Sequence, residues 1–452
     1  MLSINKKNVY FILLTIFVVG IAFQIVIYKV ALCALFLHWI FTTKFQTVIQ
    51  SISSNSFFLA FIIFYILYAV SFFWSENQSF AIADLVLKIP ILILPLIMLS
   101  NKPLSIKEIN KLLMVFALSV ISLNCYCFFD AFFNYLNTRN INEFFYGSLT
   151  VNMHTAYQAT FTSFSIFILV YIYLNKEYSH NWIFSLLTIL QFFFLFLLSS
   201  RMQMLCMSVV TPIFLIFHYY LKKKIYLGFS YTILAFMVSY FLVSTPSVLN
   251  TRYKQTVSHI SSIGNDSQNS DPRKFIWNKA IDVIKYNWLF GVGVGDAKDV
   301  LVSSYSKEFS KPITDHTVDS TINFLKANNK HLNIQAKKLT LDHTKLKKES
   351  ENILIQQINK YRYFAKKKYN FHNQYLQTFA TVGFFGLIIL IYLLSHLVII
   401  SIIKQDYIVL AFLFLIAMSF FTESMLERQA GVVFFTFFYL LLAMRFSLNK
   451  PA

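Results

Sequence analysis

Three short segments hold residue types that could grip an anion and remove a proton. In Leu197-Leu198-Ser199-Ser200-Arg201-Met202-Gln203, an arginine stands at the end of an apolar run beside two hydroxyl residues. A guanidinium there either snorkels to lipid headgroups or holds a phosphate with two parallel N–H bonds. The second segment runs Asp271-Pro272-Arg273-Lys274-Phe275-Ile276-Trp277 and continues to Gly291-Val292-Gly293-Val294-Gly295. These glycines lack the Lys-Ser/Thr of a phosphate loop and the surrounding sheet of a dinucleotide site, so they indicate close backbone packing rather than nucleotide binding. In the third, Phe371-His372-Asn373-Gln374-Tyr375, a histidine opens a long apolar run. An imidazole at a water–membrane border changes charge near neutrality and can take a proton from a hydroxyl, or it can serve packing alone.

Elsewhere the ionisable residues within or beside apolar runs are Asp84, Lys88, Asp130, Glu423 and Glu427. Asp84 and Lys88 are four apart and can neutralise each other on one helix face, and Pro90 and Pro95 interrupt the same run. His38, His218 and His396 lie in apolar surroundings and read as packing residues. No His/Cys/Asp/Glu cluster has metal-ligand spacing. The four cysteines, at 33, 125, 127 and 206, read as small buried residues.

These residues must be positioned by membrane helices. The chain has 452 residues, 57% of them hydrophobic and 13% charged, where a soluble domain carries roughly 25% charged residues. Mean hydropathy is +0.59, which excludes a disordered chain, a collagen-like fibre and a disulfide-stapled secreted domain. Apolar runs near 9–24, 26–41, 57–73, 80–100, 109–133, 157–175, 182–199, 202–221, 225–244, 375–403, 406–425 and 430–446 predict about twelve spans. Only Tyr28-Lys29 separates the first two, so 9–41 reads as two helices or one long tilted one. Lysines 44, 102, 107, 111, 176, 222–224 and 404 fall in alternate short connections, which places both termini in the cytoplasm.

The expected organisation is spans one to nine over 1–244, a large outer loop over 245–370 and three spans over 371–452. The loop carries 21 Lys and Arg against 11 Asp and Glu, and the whole chain has a net charge of +19, which suits anionic partners such as lipid headgroups and phosphates. Residues 320–368 lack Gly and Pro and predict one or two amphipathic helices over the outer mouth.

The order Ser-Arg at an outer helix end, Arg-x3-Trp and Gly-x-Gly-x-Gly in a large loop, then His372-Asn373-x9-Gly383 at re-entry resembles the O-antigen ligase superfamily, which includes the O-antigen polymerases. Trp74-Ser75 and Lys88-x-Pro90 fit the same pattern. The resemblance implies an all-α, GT-C-like polytopic fold in the bacterial inner membrane and an inverting glycosyltransferase that needs no metal or cofactor and acts on the periplasmic face. The implied donor is a glycan on undecaprenyl diphosphate and the implied acceptor is lipid A–core; no nucleic acid is expected as a partner. By analogy His372 is the general base, Arg201 and Arg273 bind the donor diphosphate, and Lys88 is a further candidate for that anion. A polymerase of the same superfamily is the alternative. A lipid-linked glycan flippase is a more distant one, because a transporter carries its charges along a path through the bilayer rather than at one face.

Overall fold

The computed structural model describes residues 6–101, 103–175, 181–224, 272–310 and 343–447, with a few isolated residues near 226–233 and 314–320. Among them the regular elements are all helical. The hydrocarbon core supplies no hydrogen-bond partners, and a helix satisfies its own backbone, so this is the form an apolar chain takes there. The chain is an all-α polytopic membrane protein.

The membrane part begins with α1 (Lys6–Phe23) and α2 (Ile27–Thr42), which pack on each other as a hairpin, so 9–41 is two helices. The chain then bends by 108° into a short helix, α3 (Phe45–Ser54). Next come α4 (Ser56–Ser71), α5 (Gln78–Lys88), α6 (Pro90–Ser100), α7 (Ile106–Thr138), α8 (Thr155–Asn175), α9 (Asn181–Leu198) and α10 (Arg201–Leu221). The 80–100 run is thus split: α5 ends at Lys88, and Pro90 starts α6 at a position where its missing N–H costs nothing.

Eight helical spans among the described residues are long and apolar enough to cross a membrane, with α5 and α6 taken together as Gln78–Ser100 and α4 continued to Trp74, or nine if the bent pair α2–α3 counts as one span. Trp182–Leu198 and Tyr407–Thr422 are apolar but shorter, and the expected span 225–244 lies outside the described residues.

Three helices form a cap: α11 (Pro272–Tyr286), α12 (Ala297–Phe309) and α13 (His343–Lys367). They share a core of Ile276, Ala280, Val283, Leu301, Tyr305 and Phe364, to which Phe371 and Ala380 are added from the next span. Helix α13 fulfils part of the helical expectation for 320–368; residues 321–342 lie outside the described residues. Three helices complete the bundle: α14 (Gln374–Ile403), α15 (Tyr407–Thr422) and α16 (Gln429–Ser447). The centre of the bundle is α8 and α16, whose spanning windows are 89% and 83% buried. Around them α6, α7, α9, α10 and α15 are arranged, and α4 packs on α14. Phe116, Phe161, Phe164, Phe412, Phe434 and Phe438 interlock at the centre with ring centroids 4.4–6.4 Å apart.

The glycine segment joins cap to membrane. Val292 N–H donates to the Ala380 carbonyl at 2.8 Å, Gly293 N–H to Thr381 at 3.0 Å, and Phe384 N–H to Trp288 at 2.9 Å. On the other side Ser71 Oγ accepts from Val294 N–H and Ser75 Oγ from Gly295 N–H, at 3.1 and 3.0 Å. These bonds draw α14 out of helical geometry at Gly383, whose φ is +70°. A Cβ there would collide with the Leu289 carbonyl, and one on Gly291, also at positive φ, would strike Thr381. Gly383→Ala is therefore expected to lose about 1–3 kcal/mol of stability. A lowered thermal midpoint in detergent checks this against Gly147→Ala, a position with open space around it.

The predicted packing histidines behave as such. His218 meets the Tyr407 ring edge-on at 5.1 Å, and His396 stacks on Tyr392 at 5.0 Å. The cysteine reading is corrected at one position: Cys127 and Cys206 are buried and Cys125 is partly so, but Cys33 is exposed because it lies on the outward face of α2.

Candidate active site

A cavity of about 380 Å³ lies where the cap meets the ends of α5, α8, α14 and α15. Its charged and titratable lining is Asp84, His154, Tyr157, Lys298, His372, Glu423, Glu427 and Arg428.

His372 is placed by its neighbours in sequence. Its φ is +45°, a left-handed conformation that a non-glycine residue adopts only when its surroundings impose it. Asn370 Oδ1 accepts its backbone N–H at 3.2 Å, and Asn373 Oδ1 caps α14 by accepting from Leu376 N–H at 3.0 Å. Gln374 Oε1 accepts from Leu426 N–H at 2.7 Å, fastening the start of α14 to the 423–428 connection. The His-Asn-Gln run is thus a helix start that doubles as a clamp.

The Arg-x3-Trp spacing has an equally direct meaning. Residues four apart share one face of a helix. From α11, Trp277 Nε1–H donates to the Phe371 carbonyl at 3.1 Å, next to His372, while Arg273 reaches Glu423 Oε1 at 3.5 Å. Glu423 Oε2 lies 3.2 Å from His372 Nδ1. Burial alone would raise the Glu423 carboxyl, but the His372 hydrogen bond and the charges of His372 and Arg273 outweigh it and hold it below the usual range. An ionised carboxylate at Nδ1 assigns the ring proton to that nitrogen and leaves Nε2 with a free lone pair. Proton removal from a hydroxyl in the cavity needs that lone pair.

Lys88 sits behind this wall. It is fully buried, with Asp84 at 2.6 Å and Glu427 at 3.0 Å, and its ammonium lies 5.0 Å from the Tyr68 ring centre. The Asp84–Lys88 pair foreseen from the spacing is present, and Glu427 is a third member that the spacing could not show. Burial pushes the Glu427 carboxyl up against the pull of Lys88, and Asp84 adds to the rise. The two carboxylates line the cavity and Lys88 supplies their counter-charge.

Removing one member of such a group leaves buried charge without compensation. Lys88→Met is expected to cost about 3–5 kcal/mol of stability, and adding Asp84→Asn and Glu427→Gln to recover part of it. Thermal unfolding in detergent reads both. A stable Lys88→Met protein that binds anions poorly would instead make Lys88 an anion ligand.

Of the predicted site residues, the structure brings His372 and Arg273 together through Glu423. Arg201 is the first residue of α10, with Ser200 at its N-cap; its side chain is outside the described residues. Glu423, His154, Lys298 and Arg428 were given no role from the sequence. Glu423 could have been weighted more heavily, since it is a carboxylate at the end of an apolar run. His154 offered no such signal, in a polar loop 218 positions before its counterpart His372. At His154, burial holds the ring below the ordinary histidine range, opposed by Glu423 and assisted by Arg428 and His372. Among the described residues, no group of three or more His, Cys, Asp or Glu is arranged to hold a metal ion.

Residues 184–330, 147 of the 452, match the family model described as O-antigen ligase (Wzy_C). The matched stretch includes Arg201, Arg273, Trp277 and the glycine segment, and His372 lies beyond it. No curated protein matches the chain.

Proposed function

From membership of the O-antigen ligase superfamily, which the match over 184–330 supports, we propose that this membrane glycosyltransferase-like protein transfers a glycan from undecaprenyl diphosphate to a lipid A–core hydroxyl at the periplasmic face. The observation that carries this reading is the His372–Glu423–Arg273 cluster, in which His372 and Glu423 line the cavity and Arg273 reaches Glu423 from α11. It joins a proton acceptor to a guanidinium suited to a phosphate.

The acceptor hydroxyl gives its proton to His372 Nε2 while its oxygen attacks the anomeric carbon. The carbon–oxygen bond to the diphosphate breaks, and its electron pair stays on the phosphate oxygen. Attack from the face opposite the leaving group inverts the anomeric centre. Arg273, with Arg201 from the start of α10, offsets the charge developing on the leaving group. Glu423 holds the imidazole and stabilises it once protonated, as the third member of a nucleophile–base–orienter arrangement does. The lysine alternation in the sequence supports an outer position for the cap, where such a donor is presented.

Ligase is preferred to polymerase because His372-Asn373-x9-Gly383 is complete, and in this structure its glycine is the kink that seats the cap. The deciding experiment is the surface glycan of a deletion strain. Core without attached chains, with long lipid-linked polymer accumulating, supports ligase; core bearing one repeat supports polymerase. Unchanged core and lipid-linked pools would overturn both.

Glu423→Gln keeps size and removes charge. Transfer at pH 7 is expected to fall roughly 10- to 100-fold. The kcat/KM of the purified variant measures the loss, and a value near wild type would leave Glu423 as a packing group.

A further inference from the structure

The cavity holds two histidines whose ring nitrogens are engaged in opposite ways. His372 presents Nδ1 to the Glu423 carboxylate, so Nδ1 carries the proton. At His154 the backbone N–H of Ala156 donates to Nδ1 at 3.3 Å, so Nδ1 is the acceptor and the ring proton is on Nε2. His154 immediately precedes α8, where the aligned peptide dipoles disfavour a positive charge, and partial desolvation of the ring at the cavity edge acts in the same sense. The ring is therefore neutral, and its available group is an N–H donor. Of the carboxylates in the same lining, Asp84 and Glu427 are paired with Lys88 and Glu423 with Arg273 and His372, so the charges of Arg428 and Lys298 beside this donor favour an anion.

We propose that His154 is a neutral hydrogen-bond donor of the cavity, and that its Nε2–H binds an oxygen of the departing diphosphate. This rests on the glycosyl-transfer reading above and deepens it. In the transfer step the hydroxyl proton passes to His372 Nε2. The bond from anomeric carbon to phosphate oxygen breaks, and its electron pair becomes charge on that oxygen. His154 keeps its proton throughout and shares it with that charge. One histidine accepts a proton and the other only lends one.

The two roles give opposite responses to glutamine, which supplies an N–H but no basicity. The full-length protein in detergent is titrated with undecaprenyl diphosphate, and donor kcat/KM is measured in parallel. His154→Ala is expected to weaken binding of this probe by about 10- to 100-fold, the scale of one hydrogen bond to a charged group. His154→Gln is expected to recover most of that loss, whereas glutamine at position 372 leaves probe binding intact and transfer lost. Thermal midpoints establish that each variant is folded. A folded His154→Ala protein that binds the probe like wild type, or a folded His154→Gln protein no better than the alanine variant, overturns the proposal. Failure of the wild-type protein to bind undecaprenyl diphosphate overturns the transfer reading itself, and His154's part in it.

Discussion

His372→Gln is expected to lower transfer by roughly two to four orders of magnitude while leaving binding of the lipid diphosphate intact. Glutamine can occupy the space of the imidazole and donate to Glu423, yet it cannot accept the hydroxyl proton. The loss should therefore fall on kcat, with little change in protein level. If the ring only supported the start of α14, glutamine would be tolerated and alanine would act through lower abundance. The measurement is turnover by the purified variant with lipid-linked donor and acceptor. Near-normal turnover would reduce the site to an arginine clamp.

Arg273→Ala is the second large effect. A guanidinium that neutralises charge formed in phosphate departure is worth about 10³–10⁵-fold in comparable phosphate chemistry, so transfer should become undetectable in most assays. The variant also removes a neighbour of Glu423, which remains held by His372. Arg273→Lys is expected to restore only part of the activity, because a point charge cannot reproduce a two-pronged grip. Arg201→Ala is the companion measurement. Full activity in either alanine variant at normal abundance would remove that arginine from the mechanism.

The sequence showed the site's parts more clearly than their joints. His372, Arg273 and the Asp84–Lys88 pair were legible because helix start, helix face and four-residue spacing are local properties. Glu423 is 51 positions from His372 and 150 from Arg273, and Glu427 is 339 from Lys88; no local pattern links them. The glycine segment was legible as close packing, but not its partners, Ser71 and Ser75 on one side and the Gly383 kink on the other. Helix α3 escaped because it is ten residues long and polar on one side, below what apolar-run length detects. The break at Ile89 was signalled by Pro90, whereas the 108° bend after α2 had no such mark.

Arg273 and Trp277 act as a gauge block. One sets the charge beside Glu423 and the other sets the height of the Phe371 carbonyl, and a single stretch of α11 fixes the interval between them. A helix advances about 100° per residue, so inserting or deleting one residue between them would turn one side chain away while the other stayed seated. Chemically conservative replacements at 274, 275 and 276 therefore leave the gauge readable, whereas a change of length destroys it even with both residues retained.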